Sequence, residues 1–570
     1  RKKHGQFYTR VEVVDLINSF AIRTGEEKVM DPACGGGTFL VRAYARKREL
    51  AHGRRHAQLL SDLYGVDVSP FATQLTTINL ATRELIAEEN YPQIARSDFF
   101  DVDPHKTFLS LPRPIKAAGL GPAQQRAVEI PQLDAMIANP PYVRQEDIPK
   151  AKAKSARDAR PPRATKEFYQ WLIKKEDGGE LSGRSDLHCY FWPHAASMLK
   201  DDGWLCFLTS SQWLDVEYGF RLQGWLLANF EIAAVFESID EPWFIGARVA
   251  TAVTILRKQR DEKKRMENVV RFVQLRRPMR EILAHDGTTV GAMNAADSFR
   301  DEVLALTENV SNQRYRARLV PQADLWREGV KLGAIIKGTT PDDSKDKAAT
   351  QTGEYYGGKW GVYLRAPDLW FDLLEKYGGR FAPLGALAEI RFGVKSGKDS
   401  FFFPRDCSAD CLTRIADAAG FEREYGVPRK DIELGRVKLV LCGEERGEIR
   451  PLESKYLEPE VHSLMEIDGF TVAPEDCARM ILLVNKKKSA LKGTYALKYL
   501  EWGGEAEHPQ VGNLRRAHHG RPRMVRPDRP SPRPCTLAQG KAISAYRSCQ
   551  SEPSDRKLST LRNIPARCHG

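Results

Sequence analysis

No apolar run in these 570 residues approaches the roughly 18–20 needed to cross a bilayer, and charged residues, 28% of the chain, interrupt every hydrophobic stretch. Membrane insertion is excluded on that reading. The ten cysteines contain no CxxC pair, and Cys407 and Cys411 stand alone as CxxxC without a second pair at zinc-finger spacing. Neither a disulfide framework nor a metal site is expected, and with no secretory leader visible this cysteine usage points to a reducing, cytoplasmic setting. The phosphate loop ending GK[ST] and the dinucleotide spacing GxGxxG are also missing. Net positive charge is scarce outside the last residues once it is located. Of the formal net +12, residues 515–570 hold 13 Lys and Arg against 3 Asp and Glu, leaving 74 against 72 for the rest. Any basic surface on the remaining chain must therefore be a local patch.

What is present is an alternation. VEVVDLINSF (Val11 to Phe20) spaces its apolar residues as a helix, EKVMD (Glu27 to Asp31) reads as a short buried strand, and TFLVRAYARKREL (Thr38 to Leu50) returns to helix. The order repeats in strand LYGVDVS, the helix from Phe71 to Glu89, strand LDAMIAN, helix LHCYFWPHAASMLK and strand GWLCFLTS. Strands separated by helices predict βαβ units in a mostly parallel sheet. EIAAVFE (Glu231 to Glu237) and ATAVTILRK (Ala250 to Lys258) follow without a full helix between them, as an antiparallel edge would. From Val143 to Arg184 the pattern lapses into a long polar loop, with ten Lys and Arg against four Asp and Glu between Arg144 and Lys175. Four regions follow: an α/β domain over 1–258, a connector over 259–330, a β-rich α+β domain over 331–514, and a basic tail over 515–570.

Four clusters in the first region carry chemistry. DPACGGGTFL (Asp31 to Leu40) joins a strand to a helix, and its glycines let backbone approach a ligand at a helix N-terminus. Lacking both phosphate signatures, it suits a nucleoside ligand without a pyrophosphate; a ligand-free tight turn is the plainer reading. Asp67 ends the second strand where an acid bridges ribose hydroxyls in doubly wound folds, or else caps the helix that starts at Pro70. Asp98 in ARSDFF could accept from an adenine amino group or simply form a turn. NPPY, Asn139 to Tyr142, closes a buried strand. Two prolines fix the backbone there, aiming the Asn139 amide oxygen and the Pro140 carbonyl at one amino group, while Tyr142 offers a face to an unstacked base.

In this order the clusters resemble the S-adenosylmethionine-dependent DNA N6-adenine methyltransferases of the type I and type IIG restriction-modification kind. GQFYT (Gly5 to Thr9) is similar to their amino-terminal cofactor motif and DPACGGGTFL to their main cofactor loop. The resemblance implies a Rossmann-like doubly wound sheet with a separate DNA-reading target recognition domain, here the second, β-rich region. It implies cofactor contacts at Gln6, Phe7, Tyr8, Thr9, Asp31, Ala33, Gly35, Gly37, Asp67 and Asp98. It places the flipped adenine at Asn139, Pro140, Pro141 and Tyr142, with Phe244 of WFIGARVATAVTIL against the edge of the base. Double-stranded DNA is the implied substrate, with a restriction or specificity subunit as partner. Two departures stand out: Arg10 where the family has Pro, which would loosen the segment closing over the cofactor, and Gly36 where Ser is common. LGALAEIRFGVKSGKDSFFF (Leu384 to Phe403) resembles the start of a target recognition domain. NPPY also occurs in methyltransferases acting on RNA or on protein glutamine, and a non-catalytic DNA-binding subunit is a third reading.

The last 56 residues contain one aromatic, Tyr546, and runs such as RPRMVRPDRPSPRP without helical or strand period. So little apolar surface cannot offset the entropy of ordering, and the segment is expected to be unfolded, either a native tail or out-of-frame residues beginning near Asn513. Limited proteolysis should remove it quickly and leave cofactor binding intact. Protection of the tail, followed by mass spectrometry of the fragments, would show that it folds.

Overall fold

Buried on both faces, the parallel strands at the centre of the first unit read as continuous apolar runs rather than alternating ones. The computed structural model describes residues 9–505 except 88, 105, 113–124, 152–159, 177–178, 240, 245–248, 337–353, 383, 389–395, 397, 443–446, 468 and 470. Expectations for Gln6, Phe7, Tyr8 and the tail over 515–570 lie outside the described residues. The chain divides into two units after Phe371.

The first unit holds β1 (Val29–Asp31), β2 (Leu63–Asp67), β3 (Gln93–Arg96), β4 (Thr107–Pro112), β5 (Gln125–Glu129), β6 (Leu133–Ala138), β7 (Leu199–Ser210), β8 (Phe230–Ser238), β9 (Thr251–Lys258), β10 (Val269–Leu275), β11 (Val310–Ser311) and β12 (Tyr315–Pro321). Ten of them form one sheet in the order β11-β12-β10-β8-β9-β7-β6-β1-β2-β3, and β4 and β5 pair apart from it. From β3 to β7 the pairings are parallel; β9 runs antiparallel to both β7 and β8. Helices Val11–Ala21, Thr38–Leu50 and Thr289–Leu304 pack one face through Val13, Leu16, Phe20, Leu40 and Phe299. Helices Leu187–Ser197, Glu217–Asn229 and Gln322–Ile336 cover the other through Trp192, Leu222 and Leu325. This is the doubly wound α/β class expected from the alternation.

Three boundaries differ from the sequence reading. Residues 259–330 are not a connector: β10 pairs parallel with β8 and antiparallel with β12, which in turn pairs with β11, so the sheet continues three strands beyond the antiparallel pair, which is not at its edge. Arg271 and Gln274 break the apolar run of VVRFVQL and mask a strand whose Val270, Phe272, Val273 and Leu275 are all buried. Residues up to Phe371 also belong to the first unit. Trp360 packs edge-on against Trp213, at 5.8 Å, and Arg365 pairs with Glu237 at 2.7 Å. Within the expected polar loop lies a helix, Lys166–Lys175, capped by the Thr165 hydroxyl and burying Phe168, Tyr169 and Ile173 at helical spacing.

The second unit carries β13 (Arg405–Asp406), β14 (Val437–Cys442), β15 (Glu448–Glu453), β16 (Leu457–Glu460) and β17 (Arg479–Leu482), antiparallel in the order β15-β14-β13-β17-β16. Helices Ser408–Arg414, Ala418–Tyr425 and Tyr495–Glu505 pack with it, an α+β arrangement. Among the described residues no helix is long and apolar enough to cross a membrane.

Candidate functional site

In an open parallel sheet the crevice forms where neighbouring connections leave toward opposite sides, outside the carboxyl ends of the strands. Here that point lies between β1, which leads toward β2, and β6, which leads toward β7. A cavity of about 290 Å³ opens there, and Thr9, Asp31, Ala33, Gly35, Asp67, Asp98, Asn139 and Pro141 all line it. Residues separated by up to 132 positions in sequence thus meet around one space.

The Gly-rich turn is held by its own polar atoms. The Ala33 N–H donates to Asp31 Oδ1 at 3.0 Å, the Gly35 N–H to Asp67 Oδ2 at 3.0 Å and the Cys34 N–H to the Val66 carbonyl at 2.9 Å. Two side chains of the helix Pro70–Ala81, which sequence reasoning missed, finish the job: Thr76 Oγ1 donates to the Gly35 carbonyl at 2.8 Å and Asn79 Nδ2 to the Gly36 carbonyl at 2.9 Å. Polar residues three apart on one helix face were the available signal. Gly37 does not line the cavity. It caps the helix Thr38–Leu50 at φ +83°, and a Cβ there would lie 2.8 Å from Thr76 Cγ2, so glycine is required by helix packing.

Asp67 is not the helix cap; Ser69 is, its hydroxyl accepting from the Ala72 N–H. The second oxygen of Asp67 accepts from the Ser69 N–H at 2.8 Å, so the carboxylate clamps the turns after β1 and β2 together. Asp98 does form the expected turn, capping Phe99–Asp101 through the Phe100 N–H at 3.1 Å, and lines the cavity as well; burial raises its pKa. Asp31, 1% exposed, has its pKa pushed up to about 8 by burial, with the Asp67 charge adding to the rise and the Ala33 N–H opposing it. The far wall is aromatic: Phe99 stacks on Phe191 at 5.2 Å, and Phe100 meets Tyr169 at 4.5 Å. Val68 and Phe71, 59% and 65% exposed, sit at the mouth. Among the described residues no Lys, Arg or His lines the cavity.

NPPY follows β6 directly. Asn139 and Pro141 reach the cavity, whereas Pro140 is buried beside it. Asn139 Nδ2 donates to Thr9 Oγ1 at 3.1 Å. Tyr142 and Phe244 are together but outside the lining: their rings meet edge-to-face at 5.2 Å, and the Tyr142 hydroxyl donates to the Leu208 carbonyl at 3.1 Å. In the segment Arg144 to Lys175, Lys152, Lys154 and Arg157 lie outside the described residues. Arg160 is engaged internally, 3.5 Å from Asp101 and over the Phe168 and Trp171 rings, and Lys166 is buried against Gln145 and the Gly183 carbonyl. The Lys166 charge is committed to the fold, whereas the Arg160 side chain is half exposed. Among the described residues no three His, Cys, Asp or Glu side chains are placed to hold a metal ion.

Residues 61–244 match the Eco57I restriction-modification methylase family. The type II methyltransferase M.BstVI of Geobacillus stearothermophilus is 25% identical over 245 residues, 41% of this chain and 38% of that protein. The type II methyltransferase M.PaeR7I of Pseudomonas aeruginosa is 26% identical over 266 residues, 45% and 40% respectively. The chain therefore spans about two fifths of the length of these relatives. The solved type IIG restriction endonuclease BpuSI superposes with a TM-score of 0.43 at 13% identity, over 91% of this chain and 47% of that one. The family and sequence matches bear out the resemblance to restriction-modification methyltransferases.

The state of Asp31 has a measurable consequence. Between the ordinary carboxylate range and about pH 8 the folded chain keeps a proton that the unfolded chain has lost, so stability falls with rising pH by up to about 1.4 kcal/mol per unit and levels off above. Asp31→Asn should flatten the dependence of melting temperature on pH between about 6 and 8, measured by calorimetry without ligand. Equal slopes in the two proteins would mean that Asp31 is already ionised.

Proposed function

We propose that the first unit transfers a methyl group from S-adenosylmethionine to the N6 of an adenine flipped out of double-stranded DNA, as the modification activity of a restriction-modification system. The observation that carries this reading is that Asn139 and Pro141 line the same cavity as Asp31, Asp67 and Asp98. The Asn139 side chain, suited to accept from an amino group, thereby stands beside acids suited to a nucleoside, with Pro140 buried next to it.

The lining also fits the cofactor's charge. The Asp67 and Asp98 carboxyl groups, with no cationic side chain among the described lining residues, disfavour a phosphate-bearing nucleotide and suit a cationic ligand. Asp67 would accept from ribose hydroxyls, Asp98 from the adenine amino group, Phe99 and Phe100 would pack its ring, and Asp31 would face the positive end. The sulfonium, when bound, supplies an activated methyl group with a neutral thioether as leaving group.

An adenine amino group is a poor nucleophile because its lone pair is delocalised into the ring. Asn139 Oδ1 and the Pro140 carbonyl, held by the Pro-Pro backbone, would accept its two hydrogens and favour the pyramidal nitrogen that develops during attack. Tyr142 and Phe244 would supply aromatic surface to the base, and water would take up the released proton. The separate α+β second unit supports a substrate read by sequence, and a specificity or restriction subunit is the proposed partner.

Asn139→Ala should slow methyl transfer by about 10²–10³-fold while S-adenosylmethionine affinity stays within about twofold. Asp67→Ala should weaken cofactor binding by about tenfold or more, since it loses the ribose acceptor and releases Gly35. Calorimetric titration and tritium transfer into DNA from a methylation-free host measure the two. Modification-sensitive sequencing of that DNA identifies the base, and unmodified DNA from an expressing host would move the reading to RNA or protein.

A further inference from the structure

Strand direction gathers several turns at the rim where the cavity opens. β7 and β8 both run antiparallel to β9, β6 is parallel to β7 and β10 to β8, so the residues after Ala138, Ser238 and Leu275 emerge at one rim. The turn after β10 reads Arg276-Arg277-Pro278-Met279-Arg280. It is fastened to the stretch that delivers Phe244: the Ile239 N–H donates to the Leu275 carbonyl at 3.0 Å, and the Met279 N–H to Glu241 Oε2 at 2.7 Å. Glu241 in turn lies 3.5 Å from Arg10, which follows the cavity-lining Thr9 and whose N–H donates to the Trp243 carbonyl at 3.3 Å. These are contacts that a proline at position 10 could not make, and they offset the loosening expected there.

Arg276, Arg277 and Arg280 are all exposed. Arg276 donates from Nη1 to the Asn312 carbonyl at 2.8 Å, whereas among the described residues neither Arg277 nor Arg280 has an ion-pair partner. Between Val269 and Ala284 the sequence holds four Arg and a single acid, Glu281. The opposite rim is different. There Arg257 pairs with Asp202 at 3.0 Å, Arg260 with Asp201 at 2.8 Å and Lys263 with Glu267 at 3.9 Å. Three guanidinium groups within five residues repel one another, so their crowding adds nothing to folding and suits a partner with closely spaced negative charge.

We infer that Arg277 and Arg280, with Arg276 beside them, form a surface that contacts the phosphates of double-stranded DNA next to the flipped base. This rests on the reading of duplex DNA as substrate. A guanidinium fork matches two phosphate oxygens at once, which an ammonium does not. A base swung toward NPPY leaves its own backbone at the rim, and the arginine turn is bonded to the loop on the Phe244 side of it. The cavity wall offers those phosphates no cation among the described residues, so their charge must be met outside it. Contacts of this kind hold the strand in place and read no sequence.

The test is the salt dependence of binding to fluorescein-labelled duplex DNA by the full chain. In the double variant Arg277→Gln/Arg280→Gln the slope of log Kd against log salt should fall by about one to two, and duplexes of unrelated sequence should all bind about tenfold more weakly at about 0.1 M salt. S-adenosylmethionine affinity should stay within about twofold of wild type, as should the single-turnover rate of methyl transfer at saturating DNA. Arg277→Lys/Arg280→Lys, which keeps the charge, should recover most of the slope. Arg260→Gln/Lys263→Gln, which removes the same charge from the opposite rim, should leave the slope at its wild-type value. An unchanged slope in the first variant, an equal loss from the opposite rim, a Lys pair as weak as the Gln pair, or weakening confined to one sequence would overturn the phosphate surface and leave the methyl-transfer reading standing. A wild-type protein that neither binds duplex DNA nor modifies it would overturn both together.

Discussion

The carboxylate of Asp67 is the joint on which the cavity is built. One oxygen takes the Gly35 N–H and the other the Ser69 N–H, so a single side chain fixes the turn after β1 to the turn after β2. Hydrogen bonds to a charged acceptor contribute about 1.5–3 kcal/mol each, enough to hold a glycine-rich turn that has little conformational preference of its own. Ser69 then starts the helix Pro70–Ala81, whose Thr76 and Asn79 return to the Gly35 and Gly36 carbonyls. Loop, strand end and helix form one closed circuit, and the cavity wall inherits its rigidity. Asp31 stands beside that circuit, and its burial is the main cause of its raised pKa.

The parts legible in the sequence were those whose signal is local. Strands β1 and β2 announce themselves as short apolar runs ending in Asp31 and Asp67, and β6 as one followed directly by Asn139; the convergence of those ends follows from βαβ topology alone. Strand β10 was not legible because Arg271 and Gln274 disguise it and its partners β8 and β12 lie far along the chain. The helix Lys166–Lys175 was hidden by counting charge without asking where each cation goes: Arg160 and Lys166 serve Asp101, aromatic rings and backbone carbonyls. Gly37 was assigned to the ligand because glycine permits close approach, yet the close neighbour is Thr76. Composition can flag an approach without saying what approaches.

Charge is sorted by depth in this unit. Cations are taken up in pairs away from the cavity, as Lys47 with Asp62, Arg46 with Asp297 and Arg365 with Glu237, while the cavity keeps carboxyl groups and aromatic rings. A buried pair such as Lys47 with Asp62 contributes little net stability, but losing one partner strands a charge in the core.

The antiparallel course of β9 also divides the molecule's edges. Because β9 begins opposite Ser210 and ends opposite Phe230, the connection that brings Phe244 is delivered to the rim shared with NPPY, and the next turn, at Arg260 and Asp261, emerges at the opposite rim. Both residues there are exposed. A fluorophore or surface tether attached at that turn would leave the cavity facing solution, which makes the opposite rim the natural handle for immobilising the protein.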